Sequence, residues 1–445
     1  MRPTAIALLR TRRFWPLLAA QACGAFNDNL VKNALVVLAL TGAGGGVARL
    51  GPVVVALAGL LFILPYVLVS ATAGALADRR DKAWLIRRLK LAELALVALA
   101  AAGLLAGSVP WLLAVLAGLG VQAAFFGPVK YGILPDHLAQ DELLPGNGMV
   151  EAATFVAILL GTIAGGLLMA LPSGGAWVAA AGIAVAAIGI ATAGAIPPAP
   201  PAADASRSPG TLGLLRAARS DRPSWRAMLA IGWFWTLGAL LVSEFPVLAQ
   251  RTLGGGAALI SLLLTAFTAG IGAGALGCGR LRPALAMRLL PWAGLALSLA
   301  VWEVAAAAAG ASGIGSAGAV LGSVAGWRLL GGLLALAACG GAYSVPLYAL
   351  IQARAEPGRR ARTIAANNIV NAGFMVAGAA TAAALAAAGL APGRILLLAG
   401  AANLAVLPIL RGISRGAISP AAGRADRGLP PPRTDPAASR AETGS

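Results

Sequence analysis

Apolar residues run along this chain in long blocks, separated by short polar breaks and with no alternation of the kind that marks strands. Runs of about 18 or more apolar residues read as membrane-crossing helices, and here they recur over most of 445 residues. Twelve helices are expected. The first six span 14–40, 50–76, 84–107, 110–127, 148–171 and 175–196; the second six span 226–250, 257–279, 285–310, 326–352, 365–390 and 393–410. Between the sets lies a Pro-rich stretch opening with Pro197, Pro198, Pro200 and Pro201, and the chain closes with a segment rich in Pro, Arg, Ala and Ser. The pattern therefore predicts an all-α integral membrane protein. It has a six-helix bundle over 1–196, a linker over 197–225, a second bundle over 226–410 and a disordered tail over 411–445.

Composition sharpens this picture. The chain is 59% hydrophobic and 11% charged, whereas a soluble domain carries nearer a quarter charged residues. Its 58 glycines fit close helix packing, and Gly161/Gly165 and Gly270/Gly274 have the small-xxx-small spacing. A net charge of +18 raises nucleic acid as a partner, but the bases fall between apolar runs and not on one soluble face. With an inside N-terminus, the segments assigned to the inside hold 29 Lys and Arg and the outer loops hold 4. By the positive-inside rule both termini and the linker are expected in the cytoplasm. The first helix resembles a signal peptide behind Arg10, Arg12 and Arg13, but its length and polar residues read as a retained span. Cys23, Cys278 and Cys339 all lie in apolar runs, so no disulfide or metal framework is expected. Trp15, Trp84, Trp111, Trp177 and Trp225 fall near helix ends, as interfacial anchors do.

The chemistry sits where the apolar pattern is broken. Helix one contains Phe26-Asn27-Asp28-Asn29-Leu30-Val31-Lys32-Asn33. An acid or base at bilayer depth costs about 2.5–3.5 kcal/mol on the insertion scale, so such groups must face protein, water or a substrate. Gln21, Asp28 and Lys32 fall within about 40° of one another on a helix, with Asn29 and Asn33 beside them. Asp28 and Lys32 stand at i,i+4 and can pair. Three roles stay open at this point: a neutralised pair that holds helix one in place, a site for a zwitterionic headgroup, or a proton carrier at Asp28. Elsewhere Glu151 shares a face with Asn147 and Thr154 in helix five. Glu244 precedes Pro246 in helix seven, and Asn367 and Asn371 form a polar stripe in helix eleven. Each can line a path or satisfy packing. Glu93 is expected to pair with the loop bases. Lys130 is expected at a broken helix end, where it meets lipid phosphate or is one more inside charge.

Four stretches resemble known motifs. Gly74-Ala75-Leu76-Ala77-Asp78-Arg79-Arg80-Asp81-Lys82 is similar to the Gly-x-Leu-Ala-Asp-Arg-x-Asp-Lys loop of the major facilitator superfamily. Gly74 would permit close helix approach, and Asp78, Arg79, Asp81 and Lys82 would form a charge cluster that latches the inner side. Gly277-Cys278-Gly279-Arg280-Leu281-Arg282, the equivalent place in the second half, lacks the acid, so a one-sided latch is expected. Together, the helix-one motif, the segment Phe126-Gly127-Pro128-Val129-Lys130-Tyr131-Gly132-Ile133-Leu134-Pro135 and the segment Ala365-Ala366-Asn367-Asn368-Ile369-Val370-Asn371 resemble the lysophospholipid transporter (LplT-type) branch of that superfamily.

That resemblance implies two parallel six-helix repeats around a midplane site in a bacterial inner membrane. It implies flipping of lysophospholipids, chiefly lysophosphatidylethanolamine, from the outer to the inner leaflet by alternating access. A separate acyltransferase and acyl-carrier ligase would act downstream, and no cofactor is implied. The rival on the same fold is a proton-coupled exporter of drugs or metabolites. An enzyme is disfavoured by composition: the single histidine, His137, is followed by Asp141 and Glu142 at spacings that do not form an acyltransferase motif, and one histidine cannot build a hydrolase triad.

Overall fold

The computed structural model describes residues 5–41, 51–202 and 210–418. Regular structure among them is entirely helical. The long helices of the first half are α1 (Trp15–Leu40), α2 (Gly51–Arg79), α3 (Lys82–Leu105), α4 (Val109–Gly132), α5 (Leu143–Met169) and α6 (Gly174–Gly194). Those of the second are α7 (Arg222–Val247), α8 (Ala257–Gly279), α9 (Pro283–Gly310), α10 (Val324–Arg354), α11 (Arg360–Ala387) and α12, which is broken into Pro392–Leu404 and Leu407–Ile418. Ten of the helices are long and apolar enough to cross a membrane. The other two long ones, α1 and α3, carry ionisable residues within their apolar sequence.

Helix pairing repeats with a period of six. In the first half α1 packs on α5, α2 on α4 and α3 on α6; in the second α7 packs on α11, α8 on α10 and α9 on α12. The halves meet through α2 against α11 and through α5 against α8, which is again one relation and its equivalent. This is the pseudo-twofold arrangement of a parallel repeat. Glycine sets the spacing within each half. A Cβ on Gly165 would stand 2.7 Å from the Leu30 carbonyl of α1, and one on Gly270 would stand 2.5 Å from the Leu334 carbonyl of α10. Both small-xxx-small pairs thus lie at helix crossings. The tight turn at Ser108 is real: Gly107 takes φ +62°, and the Gly107 and Ser108 amides bond back to Leu104 and Gly103, so only three residues separate the end of α3 from the start of α4. Large apolar side chains such as Leu68, Leu105 and Trp292 point outward, as expected where the solvent is lipid.

Several boundaries differ from the apolar windows. Helix α4 runs to Gly132, past Pro128, so Lys130 lies inside a helix and not at a broken end. Helix α5 starts at Leu143 and α11 at Arg360. These added turns carry Asn147, Asp78-facing Ala361 and Arg362, whose polar groups bond across the halves; hydropathy does not see a helix end stabilised by such partners. The linker is not structureless. It holds the helix Gly210–Ser220, and α7 already begins at Arg222, with Pro223 in its first turn. The expected tail starts too early, because Leu407–Ile418 is a continuous helix whose Leu410 and Ile413 are buried. Residues 203–209 of the linker and 419–445 of the tail lie outside the described residues, as does Arg49.

Candidate functional site

A cavity of about 250 Å³ lies between the halves. It is deep in the bundle and is shut on the face that carries the helices Ala5–Leu9 and Leu407–Ile418, here called the termini face. The closure has three layers.

In the outermost layer, Asp78 at the end of α2, itself buried, reaches the start of α11. Its oxygens accept the Ala361 amide at 2.9 Å, the Arg362 amide at 3.1 Å and Arg362 Nε at 3.0 Å. The carboxylate therefore caps a helix N-terminus, where its charge also favours the helix dipole. Gly74 makes the crossing possible: a Cβ there would stand 2.7 Å from Ala365 Cβ and 2.9 Å from Arg362 Cα. Asp136 adds a second bridge, to Lys82 at 2.8 Å and Arg360 at 2.5 Å. The other motif residues do different work. Asp81 caps α3 through the Trp84 amide and accepts the Ala199 amide at 2.7 Å, which ties down the start of the linker. Arg79 stays exposed. The charge cluster expected from sequence is thus divided between a cross-half latch and a linker anchor.

The middle layer is neutral. Asn147 and Gln352 exchange hydrogen bonds at 2.5 and 3.1 Å, and Gln352 also donates to the Tyr131 carbonyl at 3.2 Å. Nearby, Ser344 of α10 donates to Glu151 Oε1 at 3.1 Å. The innermost layer is aromatic: Tyr131 stacks on Tyr348 at 4.7 Å and Phe155 on Trp235 at 5.9 Å, each pair spanning the halves. Trp235 Nε1 donates to the Tyr348 hydroxyl at 3.0 Å.

Above this floor the cavity takes Gln21, Asp28 and Asn29 from α1, as expected from the helix-one motif. Thr154 of α5 donates to Gln21 at 2.9 Å, which fixes the α1 face. Asp28 Oδ1 is buried with no hydrogen-bond partner. The expected Asp28–Lys32 ion pair does not form. Asp28 turns into the cavity, while Lys32, one turn farther from the termini face, is absent from its lining; an i,i+4 spacing allows pairing but does not compel it when one member has a cavity to face. Lys130 does line the cavity, with Nζ 4.6 Å from the centre of the Tyr131 ring and no ion-pair partner among the described residues. It is therefore not at the membrane surface.

Glu93 does not pair with the loop bases. It is 1% exposed and binds Lys90 at 2.7 Å in α3 itself, because both are deep in the first half and face the same cavity. On α11, Asn371 lines the cavity beside Asn368, whereas Asn367 is fully buried outside it. Glu151 and Glu244 are buried but do not line it. Residues that sequence reasoning passed over include Tyr66, Gln122, Trp235 and Tyr348. Of these, Gln122 alone carried a signal, as a single amide inside an apolar run. His137 is structural, with ring nitrogens 3.2 and 3.4 Å from the Arg13 and Pro198 carbonyls.

An unpartnered carboxylate and an unpaired ammonium facing one apolar-walled cavity can bind opposite charges of one molecule. Phe62, Ile63, Ile158 and Met375 add walls that accept hydrocarbon.

Comparison with known proteins fits this geometry. Residues 17–379 match the family model described as Major Facilitator Superfamily. A stretch of 109 residues is 38% identical to the lysophospholipid transporter LplT of Salmonella paratyphi B, and equally to that of Salmonella newport. It covers 24% of this chain and 26% of those relatives, so the match spans about a quarter of their length. Among solved structures, the human organic anion transporter MFSD10 (TETRAN) superposes with TM-score 0.73 at 16% identity, over 90% of this chain and 99% of that one. A bacterial homologue of the iron transporter ferroportin, in an outward-facing state, gives 0.63 at 15% identity, over 90% and 99%. The E. coli fucose:proton symporter FucP gives 0.64 at 14% identity, over 89% and 98%. At such identities the likeness is one of fold.

Proposed function

The chain belongs to the major facilitator superfamily, and on that premise we propose that it is a lysophospholipid transporter that moves lysophosphatidylethanolamine from the outer to the inner leaflet of a bacterial inner membrane. The observation that carries this reading is the pairing of Asp28, whose Oδ1 has no partner, with the unpaired Lys130 in one cavity. A zwitterionic ethanolamine headgroup supplies an ammonium for Asp28 and a phosphate for Lys130. Hydrogen bonds to charged partners are the strong ones, and these two groups gain partners only when the ligand enters. Gln21, Asn29 and Asn371 serve as neutral contacts around the headgroup. The single acyl chain lies along the apolar wall or stays in the lipid.

The positive-inside bias assigns the termini face to the cytoplasm. The closed layers from Asp78–Arg362 to Tyr131–Tyr348 then shut the inner side, and the described conformation is the one that receives substrate from outside. In this reading Glu151 and Asn147 belong to the inner closure, which separates when the halves rock. A separate acyltransferase and acyl-carrier ligase would consume the delivered lipid.

The second reading, a proton-coupled exporter, draws on the same unpartnered Asp28, since an intramembrane acid is a proton carrier in many transporters. One experiment separates the two: lysophosphatidylethanolamine flux into proteoliposomes, with and without a proton gradient, for wild type, Asp28→Asn, Lys130→Ala and Lys32→Ala. Flux without a gradient, lost in the first two variants and kept in Lys32→Ala, supports the lipid transporter. Flux only with a gradient sinks it in favour of the exporter.

A further inference from the structure

The buried pair Lys90–Glu93 takes no part in the headgroup contacts, yet it faces the same cavity. Both residues are 1% exposed. Lys90 Nζ binds Glu93 Oε2 at 2.7 Å and lies 5.1 Å from the centre of the Phe126 ring. Glu93 is further held by Gln122 at 3.3 Å and Asn27 at 3.5 Å, so both its oxygens are engaged. The pair presses against α1 at Gly24: a Cβ there would stand 2.8 Å from Lys90 Nζ and 3.2 Å from Glu93 Oε2. Gly24 is one turn from Asp28 on the same helix face, a rise of about 6 Å. A flexible lysine ammonium therefore waits one turn from an unpartnered carboxylate, and is kept off it by an acid that accepts three hydrogen bonds, from Lys90 of α3, Gln122 of α4 and Asn27 of α1.

We infer that Glu93 is a positioning residue: by holding Lys90, it keeps Asp28 open to a cationic headgroup. The inference rests on Asp28 being the ammonium contact proposed above. Without Glu93, Lys90 swings to Asp28 and competes with the ligand from inside the protein. Leaving a buried charge unpaired is costly, which gives the swing its driving force. Gly24 leaves the space in which the clamp forms.

The test uses the full-length protein in proteoliposomes with lysophosphatidylethanolamine, together with thermal midpoints of the same preparations. Glu93→Gln should raise KM about tenfold, the size of one lost charged contact. Lys90→Met/Glu93→Gln, which removes competitor and clamp together, should return KM to within about threefold of wild type. The midpoint supplies a readout that does not depend on flux: Asp28→Asn/Glu93→Gln should fall by more than the two single changes added, because Lys90 then has neither acid. An unchanged KM in Glu93→Gln, or additive midpoints, overturns the inference. Should Glu93→Gln fail to fold, the Lys90→Met/Glu93→Gln protein still decides, since a KM as poor as that of Asp28→Asn would show that the pair does not act through Lys90. Normal flux in Asp28→Asn removes the headgroup reading and this inference with it; loss in Asp28→Asn beside normal KM in Glu93→Gln removes the inference alone.

Discussion

The two halves share a fold but divide the labour at the cavity. The first six helices supply Asp28, Lys90, Glu93 and Lys130, all the charged lining among the described residues; the second six supply Trp235, Tyr348, Asn368, Asn371, Ala372 and Met375. The same inequality recurs at the closure. The α2/α11 crossing is glycine-packed and locked by Asp78. Its counterpart, α8 against α5, is equally close, with a Cβ on Gly279 standing 3.1 Å from Pro145 Cα, but has no acid. The lesson concerns moving parts. A buried charge must keep its partners while the halves rock. The Lys90–Glu93–Gln122–Asn27 network lies wholly within one half, so a rigid-body motion leaves it intact. The deep contacts that cross between the halves are amides, aromatic rings and the single hydroxyl bond from Ser344 to Glu151, with no ion pair among them.

The sharpest way to break this comparison is to exchange charged for neutral lining. Asp28→Asn should cut lysophosphatidylethanolamine flux by roughly tenfold to a hundredfold, in line with the 1.5–3 kcal/mol of a charged hydrogen bond. Asn371→Ala, in the other half, should cost about threefold or less by the same scale for neutral bonds. Equal losses would mean that the halves contribute alike.

Next comes the latch. Asp78→Asn should reduce flux by about fivefold to tenfold, the value of a charged cap, and should make a cysteine placed at Ala361 more reactive from the termini face. Unchanged transport and labelling would sink the latch. A matched pair of wedges, Gly74→Val and Gly279→Val, separates packing from charge. Both should impair flux by overpacking, costing about 1–3 kcal/mol, with Gly74→Val the worse because it also displaces Arg362 from Asp78.

A smaller effect is expected in the aromatic floor. Tyr348→Phe removes the bond from Trp235 and the hydroxyl's contacts with Asn367 and Asn371 while keeping the ring, and should change KM by about fivefold or less, for about 1 kcal/mol.

The smallest concerns pH. Burial pushes the Asp221 carboxyl up, but hydrogen bonds from Arg354 and Ser224 outweigh it, and the group sits below its ordinary 3.8. A depressed acid stabilises the fold above its ordinary value and loses that contribution as pH falls through the folded one. The thermal midpoints of wild type and Arg354→Ala should therefore differ slightly near neutrality and converge as pH falls through the folded value, which lies below the ordinary 3.8. A difference that persists in acid would assign the effect to packing.

Much of the architecture could be read from the apolar blocks alone, because a bilayer dictates helix length and leaves few other choices. The site was legible only in part. Asp28, Asn29 and Gln21 were found because polar residues stand out against hydrocarbon. Their partners were not, since i,i+4 spacing says which side chains can meet on one helix and nothing about the neighbour across a cavity. Hence the helix-one spacing points to Lys32, whereas Lys130 lines the space. Position near the start of α3 points Glu93 to the loop bases, whereas Lys90, three residues away, holds it. Trp235, Tyr348 and Tyr66 carry no signal among 10 tryptophans and 4 tyrosines in a chain where aromatic residues also mark membrane boundaries.

The three-layer closure has a further consequence, in how water would enter. The outer layer is built of ion pairs and the inner two of amides, one hydroxyl–carboxylate bond and aromatic rings, so wetting from the termini face reaches first the groups that gain most from hydration. Asp78, Asp136, Arg360 and Arg362 would trade each other for water at little net cost, and salt would ease that step by screening. The amide pair and the stacked rings behind them respond weakly to ionic strength. Opening is thereby graded by depth: the outer ionic layer sets how often the gate is tried, and the layers behind it set how often the attempt goes through.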